Sequence, residues 1–295
     1  MPSIKHNQNG WIYDPKGIDD ICASLAIPMF GDAAPNLKGY GAGKTVLLYK
    51  SYDKAEVVME DVNQGNIGSC TAAASAGLID LTKVVEIANG ERSEFKATTS
   101  IEHIYRIARL GTRMSGDGAS VGRAVDQMSK MGTLARLKYD SVDLTKYSVE
   151  LCRKWGDNKN YPKELDEIAK NYTIGTFSRV ASYEQVRDSI AAGYAVIVGS
   201  QYGYSNVCDN KGFAKNTTSW SHAMYWSAIR SDVEGVLTQN SWSAWNTMKN
   251  REFDEPIGSF WIRPEDCDKM ARNGDCWVIG NHNGYPIKIN SEVVW

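Results

Sequence analysis

Near residue 172 the sequence changes character, and that change limits the possible folds more than any other feature. From about 70 to 170, apolar residues recur with helical spacing. Thr71 to Asn89 (TAAASAGLIDLTKVVEIAN) is rich in Ala and Leu and stops at Gly90, a residue suited to closing a helix. Ser100 can cap IEHIYRIARL, in which Ile101, Ile104, Tyr105 and Ala108 share one face. Val121 to Met131 reads as a further helix ending at Gly132, and Pro162 opens PKELDEIAKNY with acidic residues in its first turn. Downstream, TIGTFSRV, YAVIVGSQ, HAMYWSAI, GVLTQN and GSFWIRP are short, β-branched or aromatic, and separated by Gly, Asp or Ser. They read as strands, with one helix, YEQVRDSIAAG, between them. A helical half followed by a strand-rich half predicts an α+β fold with a cleft between two lobes.

Several function classes fall away on composition. Lys and Arg number 33 against 35 Asp and Glu, a formal net charge of −2, which argues against a strongly basic nucleic-acid binder. No stretch approaches the ~18 uninterrupted apolar residues of a membrane span, and MPSIKHNQNGWIYD lacks the apolar run of a secretory signal. The expectation is a cytoplasmic protein with no nucleic-acid or membrane partner. Six cysteines in 295 residues are too sparse for a disulfide scaffold. Cys267 and Cys276 form no CxxC pair and have no histidine cluster nearby, so no metal and no cofactor is expected. Gly39 to Thr45 ends in Gly-Lys-Thr, but position 38 is Lys where a phosphate-binding loop needs Gly; a mobile turn is the simpler reading. His103 is expected on the polar side of its helix and His282 in a surface loop.

Three stretches carry chemistry. In Asn63-Gln64-Gly65-Asn66-Ile67-Gly68-Ser69-Cys70, a cysteine stands directly before a strong helix. The partial positive charge of a helix N-terminus favours thiolate over thiol. His222 opens an apolar strand, and Gln239-Asn240-Ser241-Trp242 ends the next, so neighbouring strands can bring His222 and Asn240 together opposite the cysteine. Taken singly, a buried cysteine or a histidine beside a strand is more often structural. The combination is what gives them weight.

At these residues the chain resembles the papain-like cysteine peptidases. That family carries a glutamine six positions before its nucleophile, then a histidine, then Asn-Ser-Trp; here Gln64 precedes Cys70 by six, and His222 and Asn240 follow it by 152 and 170. Thr99 to Leu110, Asp117 to Gly132 and Gly258 to Ile262 extend the likeness over roughly residues 46–280. The resemblance implies a two-lobe fold, a helical lobe facing an antiparallel sheet or partial barrel, with the active site in the cleft. It implies Cys70 as nucleophile, His222 as its acid–base partner and Asn240 as the residue orienting His222. Gln64 with the Cys70 amide would form an oxyanion hole. Trp242 would cover the His–Asn hydrogen bond, and Gly118 and Ala119 would pair with substrate backbone. Thr71 replaces the family's Trp after the nucleophile, and Ile67 replaces a cysteine that would form a disulfide. Ser243 stands where Gly follows Asn-Ser-Trp, and Trp245 comes one residue early.

The chain then divides into an irregular N-terminal arm (1–45), a body (46–280, helical lobe about 60–171, β-rich lobe about 172–280) and a tail (281–295). The expected substrate is a peptide or protein. A different class is a structural or binding protein on the same fold, for instance a virion component of a bacteriophage, using Trp11, Tyr13 and Phe30 of the arm to dock a protein partner.

Overall fold

A computed structural model describes residues 9–92, 94–112, 116–246, 248–281 and 284–288; His282 lies outside them. The longer helices are α1 (Pro15–Leu25), α2 (Cys70–Ala88), α3 (Ile101–Arg109), α4 (Val121–Met131), α5 (Val149–Gly156), α6 (Tyr183–Ala191) and α7 (Pro264–Arg272). The main sheet contains β1 (Val46–Leu47), β2 (Thr176–Arg179), β3 (Val196–Cys208), β4 (Ala214–Arg230), β5 (Gly235–Gln239), β6 (Phe260–Ile262) and β7 (Cys276–Gly280). Its order is β2-β7-β3-β4-β5-β6, with β1 also pairing β4, and every pairing is antiparallel. The expected α+β arrangement is present.

α2 runs between the helices and the sheet. Its Ala-rich sequence lets neighbours close in on nearly every side, and most of its residues are buried, as for a helix apolar all round. A Cβ built on Gly77 would stand 2.6 Å from the Tyr225 ring of β4, so the helix backbone rests almost directly on the sheet. The registers that matter for the site lie in β4. Ser200 pairs with His222, and Tyr225 with Gln239, which puts the His222 segment of β4 beside the end of β5.

Four sequence expectations need correction. Residues 15–25 of the arm form a helix, not an irregular segment: Pro15 starts it, and the Asp14 carboxylate accepts the Gly17 N–H at 3.0 Å. Trp11 and Phe30 are buried within this chain, which removes them as exposed docking groups for a partner, whereas Tyr13 is exposed. The Gly39–Gly43 turn is not mobile, because the Gly39 and Gly41 amides donate to the Asp188 carboxylate of α6 at 2.7 and 2.9 Å. His103 is buried, not on a polar face, between the Tyr161 hydroxyl (2.9 Å) and the Gly132 carbonyl (3.3 Å). Among the described residues, no helix is long and apolar enough to cross a membrane.

Candidate active site

Cys70 is the first residue of α2 and is fully buried, as are His222 and Gln64. Its Sγ accepts the backbone N–H of Ala223 at 3.4 Å, so the thiol lies against the residue directly after His222. His222 Nε2 meets Asn240 Oδ1 at 2.8 Å. The same oxygen accepts the Ser241 backbone N–H at 2.8 Å. The Ser241 N–H cannot donate to the Asn240 NH2 group, so the atom facing both partners is the amide oxygen, and Nε2 is the nitrogen that carries the proton. That tautomer leaves the proton-accepting role to Nδ1.

Trp242 stacks on the imidazole, with centroids 4.2 Å apart and planes 30° from parallel. Trp220 and Trp245 meet Trp242 edge-on at 4.8 and 5.4 Å, so the His–Asn pair lies beneath an aromatic cluster. Trp242 is buried there and covers the imidazole face. Gln64 ties the two lobes together. Its Oε1 accepts the Ser241 hydroxyl at 2.5 Å, its backbone N–H reaches the Ser241 carbonyl at 2.9 Å, and Nε2 donates to the Ile67 carbonyl at 2.9 Å.

The cleft over Cys70 is filled by the chain's own N-terminal arm. A Cβ on Gly10 would stand 2.7 Å from Cys70 Sγ and 2.8 Å from Gly68, so only a glycine backbone passes there without displacement. The arm is held by three backbone hydrogen bonds. Trp11 N–H donates to the Ser221 carbonyl at 2.9 Å, Ala119 N–H to the Gly10 carbonyl at 3.0 Å, and Ile12 N–H to the Ala119 carbonyl at 3.1 Å. It therefore runs parallel to both cleft edges.

Gly118 and Ala119 behave differently. Gly118 gives its N–H to the Tyr105 hydroxyl at 3.0 Å, and its carbonyl accepts from Arg109 at 2.6 Å, both within the helical lobe. Ala119 is the residue whose backbone faces the arm. Thr71, at the position where the resembling family has Trp, donates its hydroxyl to the Ala119 carbonyl at 2.8 Å and steadies that edge.

Burial pushes the Cys70 thiol up to about 11, against the Ala223 and Thr71 hydrogen bonds, which pull it down. A groove of about 420 Å³ opens beside Asn240, between Tyr49, Asp80, Tyr225 and Ser241, but neither Cys70 nor His222 lines it.

Sequence reasoning misses one residue altogether. Asp275 is fully buried next to the arm, and its carboxylate accepts four N–H groups. These are the Val121 amide (3.1 Å), the Gly122 amide (2.8 Å), Trp277 Nε1 (3.0 Å) and Trp11 Nε1. No local motif marks it, because Trp11 lies 264 positions away.

Comparison with solved structures settles the architecture. Xylellain, a cysteine protease from Xylella fastidiosa, superposes with a TM-score of 0.59 at 20% identity, over 96% of this chain and 99% of that one. The fold is that of the papain-like cysteine peptidases. The proform of the ragweed pollen cysteine protease Amb a 11 matches with a TM-score of 0.54 at 14% identity, covering 81% of this chain and 65% of that one. The cysteine protease and lectin-like domains of Cwp84 from Clostridium difficile match at 0.53 and 15%, covering 77% and 50%. The Peptidase_C39 like family model matches residues 124–263, a span that includes His222 and Asn240 but not Cys70. No curated protein sequence matches this chain.

Proposed function

We propose that this papain-like chain is a cysteine peptidase held latent by its own arm, with Cys70, His222 and Asn240 as the reacting and orienting residues. The observation that carries the reading is the continuity of contacts from the thiol, through Ala223 and His222, to Asn240. With the arm displaced, His222 Nδ1 takes the proton from Cys70, and the thiolate attacks a peptide carbonyl. The carbonyl pair of electrons moves to oxygen, which the Gln64 side chain and the Cys70 amide stabilise. His222 returns its proton to the leaving amine as the C–N bond breaks, and water then releases the acyl group from sulfur. Asn240 holds the imidazole ring in its productive orientation throughout, through the Nε2–H hydrogen bond. The substrate class is a peptide or an unfolded protein segment able to lie against Ala119 and Ser221 as the arm does.

The test uses the full chain and its Gly10→Val variant, whose side chain cannot share the space beside Cys70 Sγ. The variant is expected to hydrolyse denatured casein, and the double variant with Cys70→Ala to be inactive. Hydrolysis that survives Cys70→Ala would contradict the assignment.

A further inference from the structure

The groove of about 420 Å³ beside Asn240 is floored by α2, whose Ala73, Ala76, Gly77 and Asp80 recur at helical spacing along one stripe. The small residues of that stripe leave space, and the rings of Tyr49, Tyr52 and Tyr225 line the other side. A Cβ on Gly77 would stand 3.0 Å from the Tyr225 hydroxyl oxygen, so that hydroxyl lies directly over the stripe.

Two features of this lining point to a ligand. The first is a pair of hydroxyls. Tyr52 and Tyr225 are only 5% and 7% exposed, yet among the described residues neither hydroxyl makes a hydrogen bond. Tyr49 differs, since its hydroxyl donates to the Phe253 carbonyl at 2.8 Å. Burial raises both free phenols above their ordinary range, so each stays neutral and can donate or accept. The Asp80 charge adds to the rise in both, which puts the three groups in one neighbourhood.

The second feature is charge. Asp53, Glu60, Asp61, Asp80 and Asp254 line the groove against Lys50 and Arg136. Both cations are already engaged, Lys50 with Asp254 and Arg136 with Glu102, each at 3.0 Å. Asp80 is buried, and its Oδ1 accepts from Lys83 at 3.2 Å and from the Thr99 hydroxyl at 2.6 Å. Among the described residues its Oδ2 accepts only the Thr99 amide, at 2.9 Å, and a carboxylate oxygen has room for a second donor.

Negative charge, neutral phenol oxygens and aromatic faces together suit a cation that also carries apolar surface. A bare metal ion does not fit, because among the described residues no three His, Cys, Asp or Glu side chains converge to hold one. From this lining we propose that the groove is a binding site for an aliphatic ammonium ion the size of a short diamine. One ammonium group donates to Tyr52, Tyr225 and Asp80, and the methylenes lie between the tyrosine rings and the alanine stripe. The other ammonium group faces the exposed carboxylates of Asp53 and Glu60. The site does not rest on the peptidase reading, since neither Cys70 nor His222 lines it and binding is read without turnover.

The test is calorimetric titration of the full chain at neutral pH and about 0.15 M salt, a concentration that screens exposed charges. The probe is 1,4-diaminobutane, with 1,4-butanediol and butyrate as its neutral and anionic counterparts. The diamine is expected to saturate at one per chain and to bind at least about tenfold tighter than either counterpart. Tyr52→Phe and Tyr225→Phe keep the ring and remove the hydroxyl, and each should weaken the diamine about tenfold. Asp80→Asn should remove the preference for diamine over diol; if that variant does not fold, the two Phe variants decide alone. Equal affinity for diamine and diol in the parent chain would overturn the inference. So would diamine binding that neither Phe variant weakens, which would mark attraction to surface carboxylates only.

Discussion

Two influences act on Cys70 in opposite directions. Its place at the start of α2 and the Ala223 N–H favour thiolate, yet burial outweighs both and pushes the thiol up to about 11. Burial disfavours the charged form, so Cys70 is held as the protonated thiol at neutral pH. Asn240 acts one residue further on. Asn240→Ala removes the acceptor that fixes the His222 tautomer, and in an arm-opened chain turnover should fall by about ten- to a hundredfold with KM little changed. Cys70, His222 and Asn240 were legible in the sequence because their order and spacing are informative together. Asp275 was not, because its role depends on contacts with Trp11, Val121 and Gly122 that only the folded chain creates. The division of labour between Gly118 and Ala119 was equally hidden, since it depends on Tyr105 and Arg109 reaching across from α3.

Among the elements, α2, α3 and α4 stand where apolar spacing and caps predict them. The Ser100 and Ser120 hydroxyls accept from the His103 and Arg123 amides. Strand lengths were less legible: β3 and β4 run for 13 and 17 residues, well past their apolar segments, because pairing with each other continues through polar sequence. β7 has only five residues, too few to show alternation, and its place between β2 and β3 comes from tertiary pairing. Two predictions belong at this scale. Gly77→Val drives a branched side chain into the Tyr225 ring and should destabilise the fold by about 1–3 kcal/mol in urea unfolding. His103, pulled down to about 4 chiefly by burial and secondarily by Arg106, stays neutral in the fold. Its contribution is fully present above the unfolded value of about 6.5 and is lost as pH falls toward 4. Unfolding titrations should show up to about 3 kcal/mol lost across that window, and His103→Gln should flatten the slope.

For the whole molecule, the arm unites what the lobes keep apart. It pairs with Ala119 of the helical lobe and Ser221 of the sheet, and it plants Trp11 on Asp275. The sequence shows the glycines and aromatics of this segment but not their destination, since parallel pairing across more than a hundred residues leaves no local trace. On the proposed reading it is this arm, lying over Cys70, that silences the thiol. The direct measurement is the rate of Cys70 alkylation by iodoacetamide as a function of pH, resolved by peptide mass, in the full chain and in Gly10→Val. In the full chain the rate should rise only as pH approaches about 11. In Gly10→Val, Cys70 should react at neutral pH faster than the partly exposed Cys22. Identical profiles for the two chains would contradict a silencing role for the arm.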